Sequence, residues 1–372
     1  MPKVIDLFAG AGGLSLGAAR AGFDLKAAVE NDPPAVSTHK LNFPNCEHLE
    51  DDIGLLKGSD LLSKANVNEG ELSGLIGGPP CQGFSTMGRQ NKDDYRNDLF
   101  NHFFRLVSET RPAFFVAENV PGILNEKYDD LRTKAFERVA GEYVLLDPFF
   151  VTASDYGAPT IRKRVFFIGY KRECLSKDLT TTDFLPSPET EQTLVKDALY
   201  GLPESISSEW LREKDGWQLV EKKNDSSFMK KVVGEIPKGV GHKISVKRYT
   251  EQNQTSGCQG TRHTPDVEER YRNLEYGKQD KVSKAIKLNP EGFCPTLRAG
   301  TGSDKGAYQA VRPIHHKKPR VITPREAARL QGFPDWFVFH PTKWHSFRQI
   351  GNSVSPIVAE YLMKKIKDYL EN

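Results

Sequence analysis

No stretch of this sequence is apolar for long enough to cross a bilayer, and no Cys-x-x-Cys pair occurs in it. The first absence excludes a helical membrane span. The second, with five cysteines at irregular spacing, suits a reducing compartment better than a disulfide framework. Nor is there a large surplus of charge of one sign: the net charge is +3, with charged residues 27% of the total. That excludes a disordered or broadly polybasic chain, so any nucleic-acid surface has to be local. A strand pattern begins at once in Met1-Pro2-Lys3-Val4-Ile5-Asp6, leaving no room for a signal peptide, and a cytoplasmic location is expected. The 372 residues suffice for one large domain, or for a large and a small one.

What is present is an alternation of short apolar runs, glycine turns and helix patterns. Residues 4–8 read as a buried strand, Ala9-Gly10-Ala11-Gly12-Gly13 as a tight turn, and residues 14–21 as a helix stopped by Gly22. Such a turn lets a ligand touch backbone N–H groups at the positive end of a helix. The dinucleotide fingerprint GxGxxG is incomplete, because Ser15 stands where its third glycine belongs. A second strand, residues 25–29, ends in Glu30-Asn31, an acid placed where ribose hydroxyls are commonly bound. After a helix over residues 33–41, a third strand is expected to end at Asp51-Asp52-Ile53. This spacing predicts an α/β fold with a mostly parallel sheet.

A fourth strand, residues 72–76, runs into Gly77-Gly78-Pro79-Pro80-Cys81-Gln82-Gly83-Phe84-Ser85. Two glycines and two prolines force the chain out of the sheet and present Cys81 on a stiff turn. Taken alone, Cys81 is either a reactive thiol or an inert buried one. Residues 86–97 are polar and aperiodic, and residues 99–107 form an apolar helix pattern stopped before Pro112. A fifth strand, residues 113–117, ends in Glu118-Asn119-Val120, so a cysteine and a glutamate reach the same carboxyl edge of the sheet, where ligands sit. A helix over residues 131–139 and strands over residues 143–151 and 165–170 follow. Arg162 and Arg164, alternating on an extended segment, point to one face.

Taken together, these motifs resemble the DNA cytosine-5 methyltransferases of bacterial restriction-modification systems. Asp6-Leu7-Phe8-Ala9-Gly10-Ala11-Gly12-Gly13 resembles the family's cofactor loop, Gly78 to Ser85 its nucleophile loop, Glu118-Asn119-Val120 its ENV triplet, and Arg162 with Arg164 its paired arginines. Thr323-Pro324-Arg325-Glu326-Ala327-Ala328-Arg329-Leu330-Gln331-Gly332-Phe333-Pro334 and Gln349-Ile350-Gly351-Asn352-Ser353-Val354 complete the set in family order. One departure is Thr160, where the family often carries glutamine in QxRxR; threonine keeps a hydroxyl but loses reach towards the nucleotide or the catalytic loop.

The resemblance implies a Rossmann-like catalytic domain over residues 1–170 and 319–372, and a smaller irregular target-recognition domain over residues 171–318, which shows no sustained helix pattern. Cys81, Glu118, Arg162 and Arg164 are the implied catalytic set. For the cofactor, S-adenosyl-L-methionine, released as S-adenosyl-L-homocysteine, Phe8, Gly10 and Gly12 would line the methionine end, Glu30 the ribose, and Asp52 and Ile53 the adenine. Ala9, Gly13, Leu14, Asn31, Pro79, Leu99, Asn352 and Val354 complete that pocket. Ser85, Arg89, Thr296, Leu297 and Arg298 are the implied DNA contacts, with Arg298 able to make a bidentate contact to guanine. From residue 281 to 320 the basic residues Lys281, Lys284, Lys287, Arg298, Lys305, Arg312, Lys317, Lys318 and Arg320 face only Glu291 and Asp304, and phosphate contact is their expected use.

Carbon 5 of cytosine is a poor nucleophile until a thiolate adds to carbon 6, which is the chemistry a presented cysteine beside a glutamate would serve. Neither carbon is reachable in a stacked duplex, so the base has to be flipped out. The expected partners are double-stranded DNA and a cognate restriction endonuclease acting separately, for a monomeric protein that needs no membrane and no metal. Cys258, His263, Cys294, His315 and His316 match no zinc spacing. A tRNA cytosine methyltransferase and a catalytically silent DNA-binding regulator are the competing readings.

Overall fold

The computed structural model describes residues 1–80, 98–207, 209–212, 216–223, 225–234, 236–300 and 312–371. Its apolar runs pair into one sheet. Strands β1 (Lys3–Leu7), β2 (Asp24–Val29), β3 (Glu47–Leu49), β4 (Leu72–Gly77) and β5 (Phe114–Asn119) lie parallel in the order 3-2-1-4-5. Strands β6 (Val144–Leu145) and β7 (Phe149–Thr152) pair antiparallel with β8 (Lys163–Tyr170), which lies antiparallel to β5. The order reverses between β1 and β4, so their carboxyl ends flank the crevice where open α/β sheets bind ligands.

Helices α1 (Gly13–Arg20), α2 (Pro33–Asn42), α3 (Gly58–Lys64) and α4 (Asp98–Thr110) link successive strands, and α5 (Asp129–Glu137) follows β5. Short helices α6 (Val195–Ala198), α7 (Ser227–Val233), α8 (Lys243–Gln252) and α9 (Pro265–Asn273) occupy the middle of the chain, with a ribbon of β9 (Gln218–Leu219) and β10 (Gln254–Thr255). Helices α10 (Pro324–Gln331), α11 (Lys343–Asn352) and α12 (Pro356–Lys367) end it.

The period of two along each strand divides the core. Val4 and Val116 pack with Leu16 and Ala18 of α1 and Ile357 and Leu362 of α12. Ile5, Leu75 and Phe115 point the other way, onto Leu61 of α3 and Phe103 and Phe104 of α4. Phe100, Phe103 and Phe104 are fully buried, each contributing about 1.5–3 kcal/mol. Asp6 and Glu118 fall in register with Val4 and Val116, so their carboxyl groups belong to the α1 and α12 side of the sheet. Phe228, Met229 and Val232 of α7 and Tyr249 of α8 join that same core. A small separate cluster gathers Tyr271, Ala285, Ile314 and Val321.

Three expectations are corrected here. The third strand ends at Leu49, not at residues 51–53; Ile53 is buried as the anchor of a turn, and one apolar residue cannot distinguish the two. The strand expected over residues 143–151 is two strands, separated at Asp147-Pro148, where proline has no N–H for a ladder. The middle of the chain does contain helices. Their sequence pattern is faint because α8 buries only Ser245 and Tyr249, and α9 only Tyr271. Among the described residues, no helix is long and apolar enough to cross a membrane.

Candidate active site

The loop between β1 and α1 carries unusual backbone. Phe8 has φ +59°, a left-handed conformation rare for an aromatic residue, and Gly10 and Gly12 have φ +55° and +99°. The three glycines differ in their surroundings. A Cβ on Gly13 would stand 2.3 Å from the Val354 carbonyl oxygen, and one on Gly12 would stand 2.4 Å from the Phe43 ring. A Cβ on Gly10 would meet nothing within 4 Å, so Gly10 is the position that leaves the loop open to a ligand. Leu14 and Ala9 are buried beneath it.

Glu30, at the end of β2, is tied to this loop. Its Oε2 accepts from Gly10 N–H at 2.8 Å, and its Oε1 accepts from the N–H groups of Asn31 and Asp32, both at 2.9 Å. Burial raises its pKa, and these three hydrogen bonds oppose the rise. Three of about four lone-pair sites are thereby used, leaving one on Oε2 for a ligand hydroxyl. Asp52 is exposed, with Oδ1 accepting from Gly54 N–H at 2.8 Å, and Ile53 is buried beside it. The open Gly10, the remaining acceptor on Glu30 and the Asp52-Ile53 turn fit a nucleoside-bearing cofactor spread over the ends of β1, β2 and β3.

The second part of the site lies at the ends of β4 and β5. Gly77 pairs with Ala117, which brings Gly78 level with Glu118. A Cβ on Gly78 would approach Glu118 Oε2 to 3.2 Å, so the missing side chain makes room for that carboxylate. Asn119 donates through Nδ2 to the Pro79 carbonyl at 3.3 Å, and its Oδ1 accepts from Val120 N–H at 2.8 Å. Asn119 thus fixes the chain two residues before Cys81. Cys81, Ser85 and Arg89 lie outside the described residues, as does residue 305. Leu99, half-buried, lies in the first turn of α4.

Arg162 and Arg164 do share one face, lining a narrow crevice with Phe166, Val354 and Val358. Their partners differ. Arg164 Nε lies 2.6 Å from Glu118 Oε1, both side chains largely buried. Arg162, 3% exposed, donates to the carbonyls of Leu297 at 3.3 Å and Asn352 at 3.2 Å. It therefore ties two distant segments to the site. Thr160 is fully buried, and its segment pairs with Cys294: Ile161 N–H donates to the Cys294 carbonyl at 3.0 Å and Cys294 N–H to Pro159 at 2.8 Å. Thr296 and Arg298 are exposed, while the Leu297 side chain is buried and holds the element in place.

The long motif in α10 is built from buried ion pairs. Arg329 makes a bidentate contact to Asp335, at 2.8 and 2.6 Å, and also donates to the carbonyls of Ala198 and Tyr200. Arg325 donates to the carbonyls of Ser256, Pro334 and Phe337. Glu326 closes a capping box with Thr323 and pairs with Arg320 at 2.7 Å. Gln331 donates to the Ser353 carbonyl at 2.8 Å, which positions Val354 against Gly13. These residues brace the middle of the chain and the last segment against the sheet.

That bracing corrects part of the expected phosphate surface. Arg320 is buried on Glu326, and Lys287 donates to the carbonyls of Arg272 and Leu274. The Arg312 guanidinium stacks 4.2 Å from the centre of the Phe347 ring. Counting charges along the chain cannot separate such scaffold cations from exposed ones. Lys281, Lys284, Arg298 and Lys317 do remain exposed, Lys317 beside Glu204.

Sequence reasoning also missed a buried polar chain under the cofactor loop. Ser15 Oγ donates to Asp6 Oδ2 at 2.5 Å and contacts His39 Nε2 at 2.9 Å. The Asp6 carboxyl, fully buried, is pushed up to about 7 by burial against the hydrogen bonds from Ser15. Ser15 in the place of a fingerprint glycine was the available signal.

The family model for the C-5 cytosine-specific DNA methylases matches residues 2–368. The chain is 41% identical over 362 residues to the Type II methyltransferase M.XorII of Xanthomonas oryzae, covering 96% of this chain and 82% of that protein. It is 31% identical over 390 residues to M.DdeI of Desulfomicrobium norvegicum, covering 100% and 89%. Among solved structures, a prophage-encoded E. coli protein assigned as a DNA modification methyltransferase superposes with a TM-score of 0.89 at 52% identity, covering 99% of both chains. With the glycine loop, the Glu118 corner and the α10 brace all in the one sheet framework, this chain belongs to the C-5 cytosine-specific DNA methylases.

Proposed function

We propose that this S-adenosylmethionine-dependent enzyme methylates one cytosine of a short site in double-stranded DNA, with Cys81, Glu118, Arg162 and Arg164 at the reacting base. The observation that carries this reading is the placement of Glu118 beside Gly78, three residues ahead of Cys81, with Asn119 clamping Pro79. A thiolate at Cys81 adds to carbon 6 of a flipped cytosine, and the electron pair displaced onto the ring makes carbon 5 nucleophilic. Addition is favourable when N3 receives a proton, and Glu118 Oε2, the oxygen facing Gly78, is the atom to hold it. Arg164 on Oε1 fixes the orientation of that carboxylate. In this reading Arg162 is the donor to the O2 carbonyl of the base. S-Adenosylmethionine, when bound over Gly10 and Glu30, supplies the methyl group for carbon 5. Removal of the carbon 5 proton by a base then lets the thiolate leave and restores the ring.

Residues 1–170 and 319–372 form the catalytic domain in this reading, and residues 171–318 the target-recognition domain, reading bases through Thr296 and Arg298. S-Adenosylhomocysteine is the product. The relatives named as Type II methyltransferases support a role in restriction-modification; in this reading the chain acts as a cytoplasmic monomer, with a cognate endonuclease acting separately. The test is transfer of labelled methyl groups to duplex DNA and to tRNA in parallel. Label on carbon 5 of cytosine in duplex DNA supports the reading. Label on tRNA alone, or on neither with DNA still bound, favours the RNA enzyme or the silent regulator.

A further inference from the structure

Next to Gly12, whose Cβ would stand 3.1 Å from the His39 ring, three side chains from α2, β3 and the turn between them converge. His39 Nδ1 lies 2.9 Å from His48 Nε2, and with the thiol of Cys46 the ligating atoms of all three fall within 4.8 Å of one another. The arrangement His39-x6-Cys46-x-His48 matches no common zinc spacing, so only the fold brings the three together.

We propose that His39, Cys46 and His48 form a binding site for a soft or borderline divalent cation, zinc being the fitting one, with water completing the tetrahedron. The hydrogen bonds set the ring states for this. Ser15 donates its only proton to Asp6 Oδ2, so its oxygen accepts from His39 Nε2–H, and the Nδ1 lone pair is directed at His48. The chain from Asp6 through Ser15 to His39 is thus the outer support that metal-bound histidines ordinarily have.

The distances are close to what zinc requires. Tetrahedral Zn–N and Zn–S bonds of about 2.0 and 2.3 Å place nitrogen ligands about 3.4 Å apart and sulfur about 3.6 Å from nitrogen. His39 and His48 need to separate by about half an ångström, and Cys46 to close by about one at most, within reach of a side-chain rotation. Entry is from a cleft of about 950 Å³ that has Cys46, Phe43 and Asn45 in its wall. Cys46 Sγ–H donates to the Glu47 carbonyl at 3.3 Å, and a cation would bind it as the thiolate.

The test is a cobalt(II) titration, at about pH 8, where free thiols are partly ionised, of full-length protein carrying Cys81→Ala to remove the competing thiol. One equivalent should produce a thiolate-to-cobalt charge-transfer band with tetrahedral visible bands, and zinc should displace both. Cys46→Ser and His48→Gln should abolish the thiolate band and weaken binding respectively. Ser15→Ala, which keeps all three ligands, should lower affinity by about 10- to 100-fold. Absence of the band in the parent, or its survival in Cys46→Ser, overturns the site. Should Cys46→Ser fail to fold, X-ray absorption of the zinc-loaded Cys81→Ala protein decides: one sulfur and two imidazoles support the assignment, and a sulfur-free shell refutes it.

Discussion

Alanine at Gly10 and alanine at Gly13 should do opposite things, although the two glycines are three residues apart, one in the loop and one opening α1. At Gly10 the added methyl meets no protein atom within 4 Å, and the structural penalty is the left-handed backbone at φ +55°, about 1–2 kcal/mol for an alanine. The methyl does, however, occupy the space through which a cofactor would approach the loop and Glu30. Cofactor affinity should therefore fall by more than about tenfold, or about 1.4 kcal/mol, while the protein stays folded. At Gly13 the backbone is ordinary helix, but the methyl would stand 2.3 Å from the Val354 carbonyl, a backbone atom that cannot turn aside. Overpacking of that kind costs about 1–3 kcal/mol and should push the last segment off α1. The assays are denaturant unfolding and calorimetric titration with S-adenosylhomocysteine. Unchanged affinity in Gly10→Ala would refute the placement of the cofactor over that residue. Wild-type stability in Gly13→Ala would refute the packing argument.

Three further outcomes are expected. Glu118→Gln should slow methyl transfer by about 10- to 100-fold, less than the full contribution of a general acid, because an amide still donates towards N3; turnover at the wild-type rate would remove Glu118 from the chemistry. Arg329→Leu should lower unfolding free energy by about 3–5 kcal/mol, because Asp335 is left buried without its cation and two carbonyls lose their donor; a loss under about 1 kcal/mol in denaturant melts would contradict this brace. For Asp6, the folded value of about 7 lies above the ordinary 3.8. The folded state then keeps a proton that the unfolded chain has lost between about pH 4 and 7, and stability falls as pH rises through that window. Asp6→Asn removes this dependence, so its stability relative to wild type should climb from about pH 4 to 7 by at most about 1.4 kcal/mol per unit, then level off. A pH-independent difference would contradict it.

The parts of the fold that were legible are those written in local patterns. The apolar runs in β1, β2, β4 and β5 are buried on both faces, so they read as strands without any knowledge of their neighbours. The turn after β1 and the Gly78-Pro79-Pro80 stem were legible because glycine and proline restrict backbone in known ways. Helix α4 announced itself through Phe100, Phe103, Phe104 and Val107 at helical spacing. Legibility failed where a residue's role depends on distant partners. Arg320 and Lys287 look like Lys281 in sequence, yet the first two hold the scaffold and the third is exposed. The pairing of Arg164 with Glu118 joins residues 46 apart across an antiparallel ladder, and that ladder is not a local pattern. The chain from Asp6 to His48 draws its members from four elements. Helices α8 and α9 escaped notice because each turns little more than one aromatic residue inward.

The most direct test is base-resolution cytosine sequencing of DNA from a host that expresses this chain, beside the same host expressing Cys81→Ala. 5-Methylcytosine is expected in one short recurring context with the wild-type chain and nowhere with the variant, which should still bind DNA and cofactor. Methylation that persists in Cys81→Ala would contradict the assigned nucleophile, and no methylation with either chain would contradict the assignment of a DNA substrate.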